Sequence, residues 1–117
     1  MNIHRIVPDL HCAKIDESKA FYGGFLGLTL QMDMGWVATF VSPSNPAAQI
    51  TLLKADEAVA LQPHVSIEVD DAASLHAKAL AQGLEIVYPL TDELWGVRRF
   101  FVKDPNGFVI NLLSHLP

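Results

Sequence analysis

Phe100-Phe101-Val102-Lys103-Asp104-Pro105-Asn106-Gly107-Phe108-Val109-Ile110-Asn111-Leu112-Leu113 reads as two β-rich runs joined by a tight turn. Asp-Pro-Asn-Gly supplies the residues that such a turn needs, because Pro presets φ and Gly accepts a left-handed backbone. The closing Ile110-Asn111-Leu112-Leu113 repeats Ile50-Thr51-Leu52-Leu53 from the first half of the chain. Further out, Phe101-Val102 repeats Phe40-Val41, Trp95 repeats Trp36, and Gly83-Leu84-Glu85-Ile86 repeats Gly27-Leu28-Thr29-Leu30. Order and spacing survive with small insertions. Two copies do not suggest a solenoid, which needs at least three stacked units to bury its core. They suggest one supersecondary unit used twice, with a ligand site between the copies.

The flanking residues fill in each unit. Ile3 to Leu10 is β-rich and ends near Pro8. Asp16 is placed to cap a helix with Ala20, Phe21, Phe25 and Leu26 on its apolar side and Gly27 at its stop. Gly23-Gly24 inside that helix allows close packing. Strands follow over 28–32, 36–41 and 49–53, and 54–63 serves as a linker. The second copy opens with 64–69. Asp70 or Asp71 then caps a helix carrying Ala72, Leu75, Ala79 and Leu80 inward. Strands over 85–88, 97–103 and 108–113 complete it. The fold class is therefore α+β, one domain of two βαβββ units at about 1–55 and 63–117.

Composition narrows the function. The chain has 117 residues, half of them hydrophobic and 18% charged, which suits a packed domain rather than disorder. A net charge of −5 argues against nucleic acid or an anionic membrane as partner, since both need a cationic face. Cys12 is alone, so the chain offers no disulfide framework and fits a reducing compartment. No signal-peptide pattern opens it, and a cytoplasmic location is expected.

Paired βαβββ units, Ser18 with Phe21-Tyr22 and Leu26-Gly27-Leu28, and the late FFVKDPNGFVINLL stretch together resemble the vicinal oxygen chelate superfamily. This is the glyoxalase, bleomycin-resistance and extradiol-dioxygenase group. The resemblance implies cupped mixed sheets with helices outside, and a homodimer. Enzymatic members hold a divalent metal in the cup through side chains of the first and last strand of each unit. Carried onto this chain, those positions are Val7, Thr51, His64 and Asn111. Only His64 is a strong donor, whereas a protein-held divalent cation generally takes three or four imidazole, carboxylate or thiolate ligands. No metal and no cofactor are expected.

A regular strand puts Ser66 and Glu68 on one face with His64, and that face should be the cup. Trp36 and Trp95, each beside a glycine, stand where an indole could stack on a planar ligand. ELWGVRRFF is similar to the stretch in bleomycin-resistance proteins where a tryptophan lines the ligand groove. One of Arg98 and Arg99 faces inward, and Phe100 and Phe101 divide between core and cup. Asp9, His11 and Asp16 read as a solvated connection. The expected ligand-binding residues are Val7, Trp36, Thr51, His64, Glu68, Trp95 and Asn111, with no catalytic residue assigned. The expected function is metal-free binding of a planar, partly apolar small molecule, as in sequestration of a toxic compound. The alternatives are a metal-dependent lyase or dioxygenase of the same superfamily, and a dimer module without ligand.

Overall fold

The computed structural model describes residues 1–55 and 62–117. The first unit holds β1 (Ile3–Cys12), α1 (Ile15–Lys19), β2 (Thr29–Asp33), β3 (Val37–Ser42) and β4 (Asn45–Lys54). The second holds β5 (Val65–Val69), α2 (Ala72–Ala81), β6 (Ile86–Asp92), β7 (Val97–Lys103) and β8 (Val109–His115). In both units the first strand pairs parallel with the last, and the remaining strands follow antiparallel. β1 also pairs antiparallel with β5, so the two four-stranded sheets join as one mixed sheet of order β2-β3-β4-β1-β5-β8-β7-β6.

The register fixes which residues are equivalent. Thr51 lies opposite Asp9 on β1, and Asn111 lies opposite Ser66 on β5. A bulge interrupts β2–β3 between Leu30 and Met32, and a matching one interrupts β6–β7 between Ile86 and Tyr88. Aligning these features makes Thr51 the counterpart of Asn111, Thr39 of Phe101 and Met32 of Tyr88. The ITLL/INLL repeat is therefore real in space. Two sequence pairings are corrected: Phe40 matches Val102 rather than Phe101, and Trp36 and Trp95 are not equivalent. Gly35 (φ 83°) precedes its tryptophan in the β2–β3 hairpin, and Gly96 (φ 88°) follows its own in the β6–β7 hairpin. Similar hydrophobic runs one residue out of register face opposite ways.

β1 runs through Pro8 to Cys12 instead of stopping there. Pro8 sits at the hand-over between ladders: β1 pairs with β5 up to Pro8 and with β4 from Asp9 onward. The missing N–H thus falls where no continuous ladder needs it. Asp16 lies in the first turn of α1 and is not its cap; the capping position is Lys14, with no side-chain cap. The helix continues as a π-helical turn over Ala20–Phe25. That wider turn breaks the expected apolar stripe and leaves Phe21, Phe25 and Leu26 largely exposed. Ile15, Tyr22 and Leu28 pack instead with Phe40 and Leu52. A Cβ on Gly23 would stand 3.1 Å from the Phe40 ring, so the glycine is there for close approach. Asp71, of the two candidates, caps α2 by accepting from the Ala73 and Ser74 amides. Leu75 and Ala79 pack on Phe100 and Val102, while Leu80 points to solvent. The span 54–63 proposed as linker lies largely outside the described residues.

Candidate functional site

Alternation along each strand divides the sheet into two faces. Leu10, Phe40 and Leu52, with Phe100, Ile110 and Leu112, face the helices. The opposite face carries Arg5, Val7 and Asp9 from β1 and Ser66 and Glu68 from β5, which confirms the placement of Ser66 and Glu68 together. Side chains from six strands line one cavity of about 480 Å³ on this face. That volume lies in the range of small-ligand pockets. Its wall is Val7, Met32, Thr39, Thr51, Ser66 and Leu113, and its polar end is Arg5, Gln49, Glu68 and His115, with Gln31 beside them.

The polar end is built from interlocked groups. Arg5 Nε donates to Glu68 Oε1 at 2.6 Å, and Arg5 Nη1 donates to Gln49 Oε1 at 2.7 Å. Gln49 is itself held, since its Nε2 donates to the Pro46 carbonyl at 2.8 Å. His115 Nε2 lies 3.3 Å from Glu68 Oε1. In the Arg5–Glu68 pair the Glu68 carboxylate is the better shielded partner and Arg5 is partly exposed, so the pair is more enclosed than a fully exposed surface ion pair.

Deeper on the same face is a buried row. Ser66 Oγ donates to Asp9 Oδ2 at 2.7 Å and accepts from Asn111 Nδ2 at 3.0 Å. Asp9 is 7% exposed and Asn111 is 6% exposed. Burial pushes the Asp9 carboxyl up to about 6, against the opposing pull of the Ser66 hydrogen bond and the charges of His11 and Arg99. Asn111 Oδ1 is enclosed and has no partner among the described residues. Asp9 can therefore hold or release a proton near neutral pH, and Ser66 connects it to the cavity wall.

The second unit fills its share of the face. Arg99, not Arg98, points inward, and its guanidinium packs on Tyr88, Trp95 and Phe101 at 5.2, 5.1 and 4.9 Å. Glu93 holds both partners, at 3.0 Å from Arg99 Nη2 and 2.9 Å from the Tyr88 hydroxyl. Arg98 instead pairs with Asp92 on the other side. Phe100 goes to the core and Phe101 to the concave face.

The seven expected ligand-binding residues separate. Val7, Thr51 and Glu68 line the cavity. Asn111 is buried in the polar row beside it. His64 does not line the cavity; it stacks on His11 at 5.7 Å, with its Nδ1 accepting from the Val109 amide at 3.0 Å. Trp36 and Trp95 stand at the two hairpins, Trp95 under Arg99. Arg5, Gln49, Thr39 and Met32 were missed, and Asp9 and His11 are strand residues rather than a solvated loop. Alternation outward from Val7 and Thr51 would have found Arg5, Asp9 and Gln49.

The four positions that hold metal in the family do not fit a metal here. Valine has no donor atom, Thr51 and Asn111 are neutral, and the one imidazole spends Nδ1 on a backbone amide. Among the described residues no three His, Cys, Asp or Glu side chains come together as a ligand set.

The sequence matches the family model described as Glyoxalase/Bleomycin resistance protein/Dioxygenase superfamily over residues 2–112. The chain belongs to that superfamily. A comparison with curated proteins gave no match. Among solved structures it is similar to a superfamily member from Vibrio splendidus 12B01, at 17% identity over 98% of this chain and 100% of that one, with a TM-score of 0.70. It is similar also to methylmalonyl-CoA epimerase from Mycobacterium tuberculosis, at 20% identity over 98% and 88% of the two chains, TM-score 0.71. The Mn(II)-bound glyoxalase from Novosphingobium aromaticivorans aligns at 20% identity over 96% of this chain but 38% of its own, TM-score 0.69. At these identities the likeness is one of fold.

Proposed function

We propose that the chain is a small-molecule binding protein of the superfamily that holds a planar, partly apolar compound in the cavity under β1–β5 without a metal. The observation that carries this reading is the contrast within the cavity: an apolar and hydroxyl wall at one side and a fixed polar group at the other. Val7, Thr51 and Glu68 make the direct contacts, and Asn111 supports the floor. His64, Trp36 and Trp95 are proposed to meet any part of the ligand that projects past the rim. Sequestration fits such a site, because tight binding suffices where no rate acceleration is needed. In this reading the chain works as a twofold homodimer burying at least about 1,200 Å². Exposed Phe21, Phe25 and Leu26 and the open edges of β2 and β6 support an apolar partner surface. Among the described residues no helix is long and apolar enough to cross a membrane.

Asp9 favours a second reading, metal-independent proton transfer. A carboxyl titrating near 6 beside a cavity is placed to act as acid or base on a ligand reached through Ser66. The Mn(II)-bound glyoxalase among the structural neighbours supplies the third case, and two measurements separate metal-free binding from it. Planar aromatic compounds should raise the melting temperature of the wild type and leave Thr51→Trp unchanged. About one metal per subunit by elemental analysis, lost in His64→Ala, would defeat the metal-free reading.

A further inference from the structure

Arg5 and Glu68 each leave one polar group unused. The guanidinium has Nε on Glu68 and Nη1 on Gln49, and Nη2 has no partner among the described residues. On Glu68, Oε1 accepts from Arg5 Nε and lies 3.3 Å from His115 Nε2, and Oε2 has no hydrogen-bond partner among the described residues. Both side chains line the cavity. One locked pair at the cavity thus keeps both an unspent donor and an unspent acceptor. Their charges cancel and Gln49 is neutral, so the locked pair itself has no net charge to offer an ion. The complement of such a pair is a neutral group that accepts and donates on one edge.

We propose that Arg5 and Glu68 read the amide edge of a planar lactam or carboxamide, whose C=O accepts from Arg5 Nη2 and whose N–H donates to Glu68 Oε2. This rests on the cavity being the ligand site, and it names the ligand class. The Gln49–Pro46 bond and the Glu68 bridge hold Arg5 before the ligand arrives, so little ordering is left to do on binding. The apolar part of the planar ligand then lies against Val7, Met32 and Leu113. A site that hydrogen-bonds an N–H discriminates strongly against an analogue lacking it, because Glu68 Oε2 is then desolvated without a hydrogen-bond donor.

The test compares 2-quinolone, N-methyl-2-quinolone and 2-naphthol by calorimetric titration and by amide NMR mapping on the full chain. The expected result is 2-quinolone binding at least about tenfold tighter than its N-methyl analogue. Glu68→Gln, close in shape but carrying a donor, and Arg5→Met should each bring the ratio to within about twofold, with circular dichroism melts confirming the fold. Equal affinities of all three, with resonance changes at Thr39 and Thr51, would overturn the amide-edge assignment while leaving the cavity reading in place. No binding by any of the three would remove both.

Discussion

The two wings of the concave face are the same template filled differently. Met32, Thr39 and Thr51 in the first unit stand where Tyr88, Phe101 and Asn111 stand in the second. The small and flexible set leaves the cavity. The bulky set closes over Arg99, which three aromatic rings and Glu93 hold in place. Duplication thus supplied one wall for binding and one for rigidity, and the difference lies in a few side chains rather than in the backbone. The first wing should tolerate added bulk at the expense of ligand, while the second should tolerate loss of bulk poorly.

The sharpest break in that comparison is a pair of exchanges. Phe101→Thr should cost about 3–4 kcal/mol in urea unfolding, because Phe101 is buried and carries the Arg99 contact. The reciprocal Thr39→Phe should cost less than about 1 kcal/mol, since its ring enters existing space. Equal costs would mean that the wings are not different in kind.

Asp9→Asn should stabilise the protein by up to about 3 kcal/mol at pH 7.5. Burial raises the folded-state value of this carboxyl to about 6. The folded protein therefore binds the proton more tightly than the unfolded chain does. Stability from this group is highest below the unfolded value, near 4, falls as pH rises toward 6, and is level above. The asparagine variant should lose that slope, which denaturant midpoints between pH 4 and 7 would show. An unchanged slope would place the proton elsewhere.

Smaller effects follow at the hairpins. Trp95→Ala should cost about 0.5–1 kcal/mol by removing one face of the Arg99 stack. Trp36→Ala, at a ring with no such partner among the described residues, should stay within about 0.5 kcal/mol. Smallest of all, a chelator should leave the melting temperature where it was, because a metal that binds the native state would lower it on removal.

Much of this was legible in the chain. The ITLL/INLL repeat and the Asp-Pro-Asn-Gly turn carried the unit, its count and the equivalence of Thr51 with Asn111. Val7 was placed in the cup by counting back from Phe21-Tyr22, Thr51 by its position in the repeat, and Glu68 by strand alternation from His64. What failed did so for local reasons. Pro8 was read as an end, although it falls at a hand-over between two ladders, and this hid Asp9 and His11 as strand residues. The π-helical turn shifted the first helix out of the regular spacing that placed Phe21 and Phe25 inward. Tryptophans seemed equivalent because each adjoins a glycine, while strand register, invisible in sequence, sets them apart. Closure of the second wing by Arg99 depends on which of two adjacent arginines faces in, and alternation alone has no origin until one residue is fixed.

The most direct test of the account is an amide and methyl NMR footprint of a bound planar aromatic compound on the wild-type protein. Perturbations should gather on Val7, Thr39, Thr51 and Glu68 in the open wing and vanish in Thr39→Phe. A footprint on Phe101, Asn111 and Trp95, unaffected by Thr39→Phe, would contradict it.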